Sequence, residues 1–150
     1  MRRRKKKGPV QAKKISYDGI SFASGLERYT YIALKKNKLY EGYESETFQI
    51  VESFQFPNIS YEKQANSKGE YINRGSKKIL GIKYTPDFIG KDYIIECKGR
   101  PNESFPLRWK LIKLWLTKNN IGKILYKPQN QKEVDRTIAL IKEHRRKKRG

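Results

Sequence analysis

The chain holds one cysteine, one histidine and one methionine in 150 residues. A lone Cys97 cannot close an internal disulfide, which excludes a stapled fold and points to a reducing compartment. One Cys and one His also leave no ligand set for a cysteine-rich zinc site. No stretch approaches the roughly 18 consecutive apolar residues of a membrane helix. The basic start, Met1 to Lys7, runs into Gly8-Pro9-Val10-Gln11 and not into the apolar segment of a signal peptide. The expectation is a soluble, non-membrane, cytoplasmic protein. Acids are scarce as well: 15 Asp or Glu stand against 35 Lys or Arg, giving a net charge of +20. That imbalance asks for an acidic partner, and nucleic acid is the first candidate. What the chain does have is 36% hydrophobic and 12% aromatic residues, enough for the core of one globular domain with basic ends.

The charge is concentrated at the termini. Residues 1–14 carry Arg2, Arg3, Arg4, Lys5, Lys6, Lys7, Lys13 and Lys14 with no acid, and 142–150 add Lys142, Arg145, Arg146, Lys147, Lys148 and Arg149 against Glu143. Both segments read as tails that contact DNA phosphates, each contact steepening the salt dependence of binding by about 0.9 log unit without reading a base. A solvated run serving solubility or localisation is the plainer alternative. The organisation expected is a basic tail over 1–14, a folded domain over 15–141 and a second basic tail over 142–150.

Between the tails, Tyr17-Asp18-Gly19-Ile20 reads as a turn, and Phe22, Leu26, Tyr29 and Ala33 predict a helix over about 23–37, capped by Ser21 or Ser24. Thr47 to Phe56 is rich in β-formers and ends at Pro57, so it predicts one strand, and the polar stretch 60–78 predicts a loop. Two β-runs follow, Ile79 to Ile89 and Tyr93 to Lys98, around the turn signal Gly90-Lys91-Asp92. Leu107, Leu111 and Leu114 mark the apolar stripe of a second helix, Ile121 to Tyr126 a further strand, and Asn130 with Glu133 the start of a third helix with stripe Val134, Ile138, Ile141. This order suits an α/β domain in which a mixed β-sheet is flanked by helices.

The hairpin holds the chemistry. Along Tyr93 to Lys98, side chains alternate, so Glu96 and Lys98 share one face and Ile95 and Cys97 the other. A two-residue Lys91-Asp92 loop would put Asp87 directly opposite Glu96. A Gly90-Lys91 loop would make them diagonal neighbours, and a three-residue loop without a bulge would part them. Two converging carboxylates repel and call for a cation; their hard oxygen donors favour magnesium or manganese over zinc. Lys98 is suited to stabilise charge on a phosphoryl group or to orient water. The alternative is a solvent-facing hairpin whose Asp, Glu and Lys only form ion pairs.

Pro86-Asp87 followed by Glu96-Cys97-Lys98 resembles the signature of the PD-(D/E)xK nuclease superfamily. With Ser24-Gly25-Leu26-Glu27, Tyr84 to Phe88 and Glu96 to Gly99, the chain is similar to phage Holliday junction resolvases of the endonuclease I type and to small phage nucleases. The resemblance implies a restriction-endonuclease-like core and magnesium-dependent hydrolysis of DNA, branched or junction DNA in particular. It implies metal ligation by Asp87 and Glu96, a catalytic Lys98, and a helix-borne Glu27 that completes the site. It also implies a homodimer in which the partner supplies that helix acid, and, if the gene is a phage's, a bacterial host cytoplasm. The long polar stretch before Ile79 departs from the resolvase pattern. Read from the residues alone, the lesser alternative for Glu27 is an exposed first-turn acid favoured by the helix dipole, and a non-catalytic basic nucleic-acid-binding protein is the rival function. Trp109 and Trp115 are expected as core or interface aromatics, Cys97 as a small apolar residue, and His144 and the helical Lys110 and Lys113 as ordinary groups without a catalytic role.

Overall fold

The computed structural model describes residues 14–98 and 104–149. In chain order its first elements are β1 (Ile15–Tyr17), β2 (Ile20–Phe22), α1 (Gly25–Lys36), β3 (Phe48–Val51), β4 (Phe54–Gln55), β5 (Tyr61–Glu62) and β6 (Ile72–Asn73). Then come β7 (Lys78–Ile79), β8 (Ile82–Tyr84), β9 (Phe88–Ile89), β10 (Tyr93–Ile95), α2 (Phe105–Lys118), β11 (Ile124–Tyr126) and α3 (Gln131–Arg149). The protein is thus mixed α and β, with three helices and small, mainly antiparallel sheets. No helix among the described residues is long and apolar enough to cross a membrane. The chain divides into two compact units, one of residues 1–45, 86–102 and 122–150, the other of 46–85 and 103–121.

In the first unit the Asp18-Gly19 turn joins β1 to β2, both residues at positive φ (54° and 75°) as a type I′ hairpin turn demands. Ser24 caps α1, its hydroxyl accepting from the Glu27 amide at 3.2 Å. The sheet has the order β11-β10-β9, parallel between β10 and β11 and antiparallel between β10 and β9. Phe22, Tyr31, Leu34, Phe88, Tyr93, Ile95, Ile138 and Ile141 meet in one core. Residues 42–44 brace the free edge of β9: the Ile89 amide donates to Gly42 O, the Glu44 amide to Asp87 O, and Tyr43 bridges to Phe88. The predicted C-terminal tail is the continuation of α3, which stays helical to Arg149 because no breaker follows Ile141.

The second unit departs further from the sequence reading. The single strand expected over 47–56 breaks at Glu52-Ser53, after a register shift between Gln49 and Val51. The expected loop over 60–78 is the outer part of an antiparallel arm, in which β3 pairs with β8, β4 with β7 and β5 with β6. Main-chain ladders hold the outer pairs, β4–β7 and β5–β6, with no buried face, so their polar composition concealed these strands. The predicted leucine stripe of α2 faces outward, Leu107 being 60% and Leu114 48% exposed. Phe105, Trp109, Ile112 and Leu116 form the buried stripe instead, the larger aromatic area winning the core face. Phe48 packs on Trp115 and Tyr84 on Trp109; Trp109 is buried as expected, whereas Trp115 is only half-buried.

Candidate active site

Three acids of the first unit lie in its interior: Glu27, Asp87 and Glu96 are 6%, 8% and 7% exposed. Hairpin register brings two of them together. Ile94 pairs with Ile89 and Ile95 with Phe88, and the Gly90 amide donates to Tyr93 O, so Lys91-Asp92 is a two-residue loop. In that register Asp87 stands opposite Glu96, and its amide donates to Glu96 Oε2 at 3.4 Å. Beyond β10 the backbone stays extended: the Glu96 amide reaches Tyr126 O and the Lys98 amide Pro128 O. Alternate amides turned to one neighbour mean that Glu96 and Lys98 share a face. The intervening Cys97 amide points the other way and donates to Asp87 Oδ2 at 2.8 Å, which fixes the aspartate carboxyl.

Glu27 comes from the first turn of α1. Its Oε2 accepts the Ala23 amide, one residue before the Ser24 cap, at 2.8 Å and the Tyr43 hydroxyl at 3.1 Å. It belongs to the same chain as Asp87 and lies close enough to act on it. Burial first, then the charges of Glu96 and Glu27, push the Asp87 carboxyl up to about 9. The Tyr43 hydroxyl is raised by burial and by Glu27. Cys97, expected to be inert, is buried against Thr30, its Sγ 3.2 Å from Thr30 Oγ1, and burial holds its thiol well above the usual range.

Sequence reasoning missed Tyr43 and the 42–44 brace. Neither lies in a periodic element, and only Gly42, where a side chain would run into Ser45, hinted at a tight path.

The expected phosphate contacts divide. Arg2, Arg3, Arg4, Lys5, Lys6, Lys7 and Lys13 lie outside the described residues. Lys14, Arg146, Lys147, Lys148 and Arg149 are exposed, and Lys147 pairs with Glu143 one turn back. Arg145 is different: its guanidinium grips Asp92 through two nitrogens at 2.8 and 3.0 Å, reaches Glu41 at 3.0 Å and lies over the Tyr93 ring. Those bonds hold the Asp92 carboxyl below its ordinary range, so Arg145 secures the hairpin turn from inside the fold.

Among the described residues no group of three or more His, Cys, Asp or Glu is poised to hold a metal ion as it stands. The donor chemistry nonetheless fits a hard divalent cation. Magnesium takes one or two carboxylates and keeps several waters, and Asp87 with Glu96 offers two buried carboxylates whose mutual repulsion such an ion would relieve. In chemical terms the arrangement is an acid cluster fixed by main-chain bonds, with an amine on the same face, at the open end of the β9–β10 hairpin.

Residues 6–128 match the family described as protein of unknown function (DUF1064), and the chain belongs to that family. No curated protein and no solved structure matches it.

Proposed function

We propose that the chain is a magnesium- or manganese-dependent endodeoxyribonuclease with a restriction-endonuclease-like core of the PD-(D/E)xK kind, acting on branched DNA. The observation that carries this reading is the register of the β9–β10 hairpin, which sets Asp87 opposite Glu96 with Glu27 in electrostatic reach. Carboxyl groups crowded together in the interior, where ionising both is costly, favour a site over an ornamental surface. The reaction is hydrolysis: water adds to phosphorus, one phosphorus–oxygen bond to a sugar breaks, and a phosphate and a hydroxyl end result. Asp87 and Glu96 would hold the metal, which when bound supplies an acidified water and neutralises phosphate charge. The Cys97 amide keeps the Asp87 carboxyl in place before substrate arrives. Lys98, on the same face as Glu96, would offset the charge developing on the phosphoryl oxygens. Glu27 orients its neighbours from α1.

One observation favours a second reading, a basic DNA-binding protein without catalysis. Glu27 is engaged as a helix cap, and Asp87 as an acceptor for Cys97, which gives each acid a structural task.

Cleavage of matched four-way, flap and linear DNA separates the two. The enzyme reading expects cutting with magnesium, none with chelator, and loss of cutting with retained binding in Glu96→Ala and Lys98→Ala. No cutting by the native chain on any substrate would leave the second reading. Size-exclusion chromatography of the free and DNA-bound chain tests the dimer that a two-fold junction would match.

A further inference from the structure

The second unit carries a feature that the acid cluster does not use. At the foot of the arm lies an open groove of about 500 Å³, lined among others by Gln49, Glu52, Ser53, Lys78, Lys83 and Arg108. Gln49 and Lys83 are register partners, so they share a face of the ribbon. The next pair, Phe48 and Tyr84, faces the other way and packs on Trp115 and Trp109. The groove therefore occupies the ribbon face turned away from the aromatic core. A side chain at Gly81 would run into the Gln49 side chain and the Val51 carbonyl, so the floor stays bare.

Three cations meet one carboxylate in this groove. Lys78, Lys83 and Arg108 are exposed, and among the described residues none of them makes an ion pair. The helix supplying Arg108 also bears Lys110, Lys113 and Lys118 and no acid. Farther out, the arm exposes Phe54, Tyr61 and Tyr71 among Lys63, Lys68, Arg74 and Lys77. Basic groups interleaved with exposed aromatics are the footprint of a nucleic-acid surface, and a two-stranded ribbon has the width of the DNA major groove.

We propose that this groove and the arm above it form a second contact with duplex DNA, in which Lys78, Lys83 and Arg108 take backbone phosphates. The proposal rests on DNA being the substrate of the hairpin site and adds where else the duplex is held. Arg108 can grip a phosphate through two nitrogens, while the lysines act as point charges. Glu52 works against all three and limits the affinity.

The test is anisotropy of the full chain with a labelled duplex in chelator, over a range of salt. The K78A/K83A/R108A variant should bind more weakly, with a salt slope shallower by about 0.9 for each phosphate no longer neutralised. The K78R/K83R variant keeps the charge and should keep the slope, and Glu52→Gln should tighten binding. Native affinity and slope in the alanine variant would overturn the proposal. So would an arginine variant that loses as much as the alanine one, because the lysines would then matter through packing. Cutting is scored separately, with magnesium and the native chain. A chain that binds with these responses and never cuts removes the hairpin reading and leaves the groove. A chain that cuts while its alanine variant binds unchanged does the reverse.

Discussion

The two units use their apolar residues in opposite ways. The first buries Phe22, Phe88, Tyr93 and Ile95 almost completely, and with them three acids, Asp87 and Glu96 from the hairpin and Glu27 from α1. The second, outside a small cluster around Trp109 and Trp115, leaves Phe54, Ile59, Tyr61, Tyr71, Ile72 and Leu80 exposed on a ribbon held by its ladder. Placing a carboxylate to within a fraction of an ångström requires rivals for its position to be excluded, and only a close-packed support does that. A surface that follows a flexible polyanion needs reach and charge more than it needs a fixed pose. On the proposed function, this contrast would put chemistry in the first unit and grip in the second.

The largest effect expected is on cutting, and it tests that division directly. Glu96→Ala and Asp87→Asn should each lower the cleavage rate by on the order of 10³-fold, and Lys98→Ala by on the order of 10²-fold, from lost electrostatic stabilisation. Removal of the arm aromatics, Tyr61→Ala with Tyr71→Ala, should act on affinity alone. Single-turnover cleavage at saturating DNA separates the two, and a comparable loss of rate in the arm variant would break the division of labour.

Stability should divide the same way. Phe88→Ala empties a fully buried position between Tyr43 and β10 and should cost about 3–5 kcal/mol. Tyr71→Ala, at 69% exposure, should stay within about 0.5 kcal/mol. Urea unfolding of the two variants checks this; a costly Tyr71 would mean that the arm is packed against something in solution.

That contrast also explains what could be read from the sequence. The hairpin was legible because β-runs, a turn signal and a parity rule act over a dozen residues, but the choice of loop stayed open, and only the Lys91-Asp92 loop sets Asp87 directly opposite Glu96; the run expected over Ile79 to Ile89 is divided into β7, β8 and β9. The cap at Ser24 and the start of α3 at Asn130 were legible for the same local reason. The arm was not, since ladder bonds leave no apolar period when neither face is buried. The face of α2 was misread because helix 105–118 is apolar on two sides, and which side is buried depends on what packs there. Arg145 was hidden by its neighbours: five basic residues in a row look alike, and only the position of Asp92 distinguishes one of them.

The acid cluster should invert the usual dependence of stability on pH. With its folded value near 9, Asp87 keeps a proton that the unfolded chain gives up near 3.8. Between those limits the folded state binds more protons, so the contribution of Asp87 to stability is greatest below about pH 4 and is lost as pH rises towards 9. Melting temperatures of the native chain should therefore fall between pH 5 and 8.5, and Asp87→Asn should flatten that fall. A magnesium ion held by the carboxylates should raise the melting temperature more at pH 8.5 than at pH 5. An Asp87→Asn variant with the native pH response would show that the carboxyl is not under this pressure.

The smallest effects sharpen the comparison within a single helix turn. Arg145 and Arg146 are adjacent and identical, yet one is bound to Asp92 and Glu41 and the other is exposed. Arg145→Ala leaves Asp92 in the hairpin turn without its partner and should cost about 1 kcal/mol or more in urea unfolding, with little change in the salt slope of DNA binding. Arg146→Ala should do the opposite, keeping stability and flattening the slope by up to about 0.9 if it meets a phosphate. Because the two differ only in which side of α3 they occupy, equal responses would mean that the Arg145–Asp92 pair does not hold in solution, and the turn that sets Asp87 against Glu96 would need another anchor.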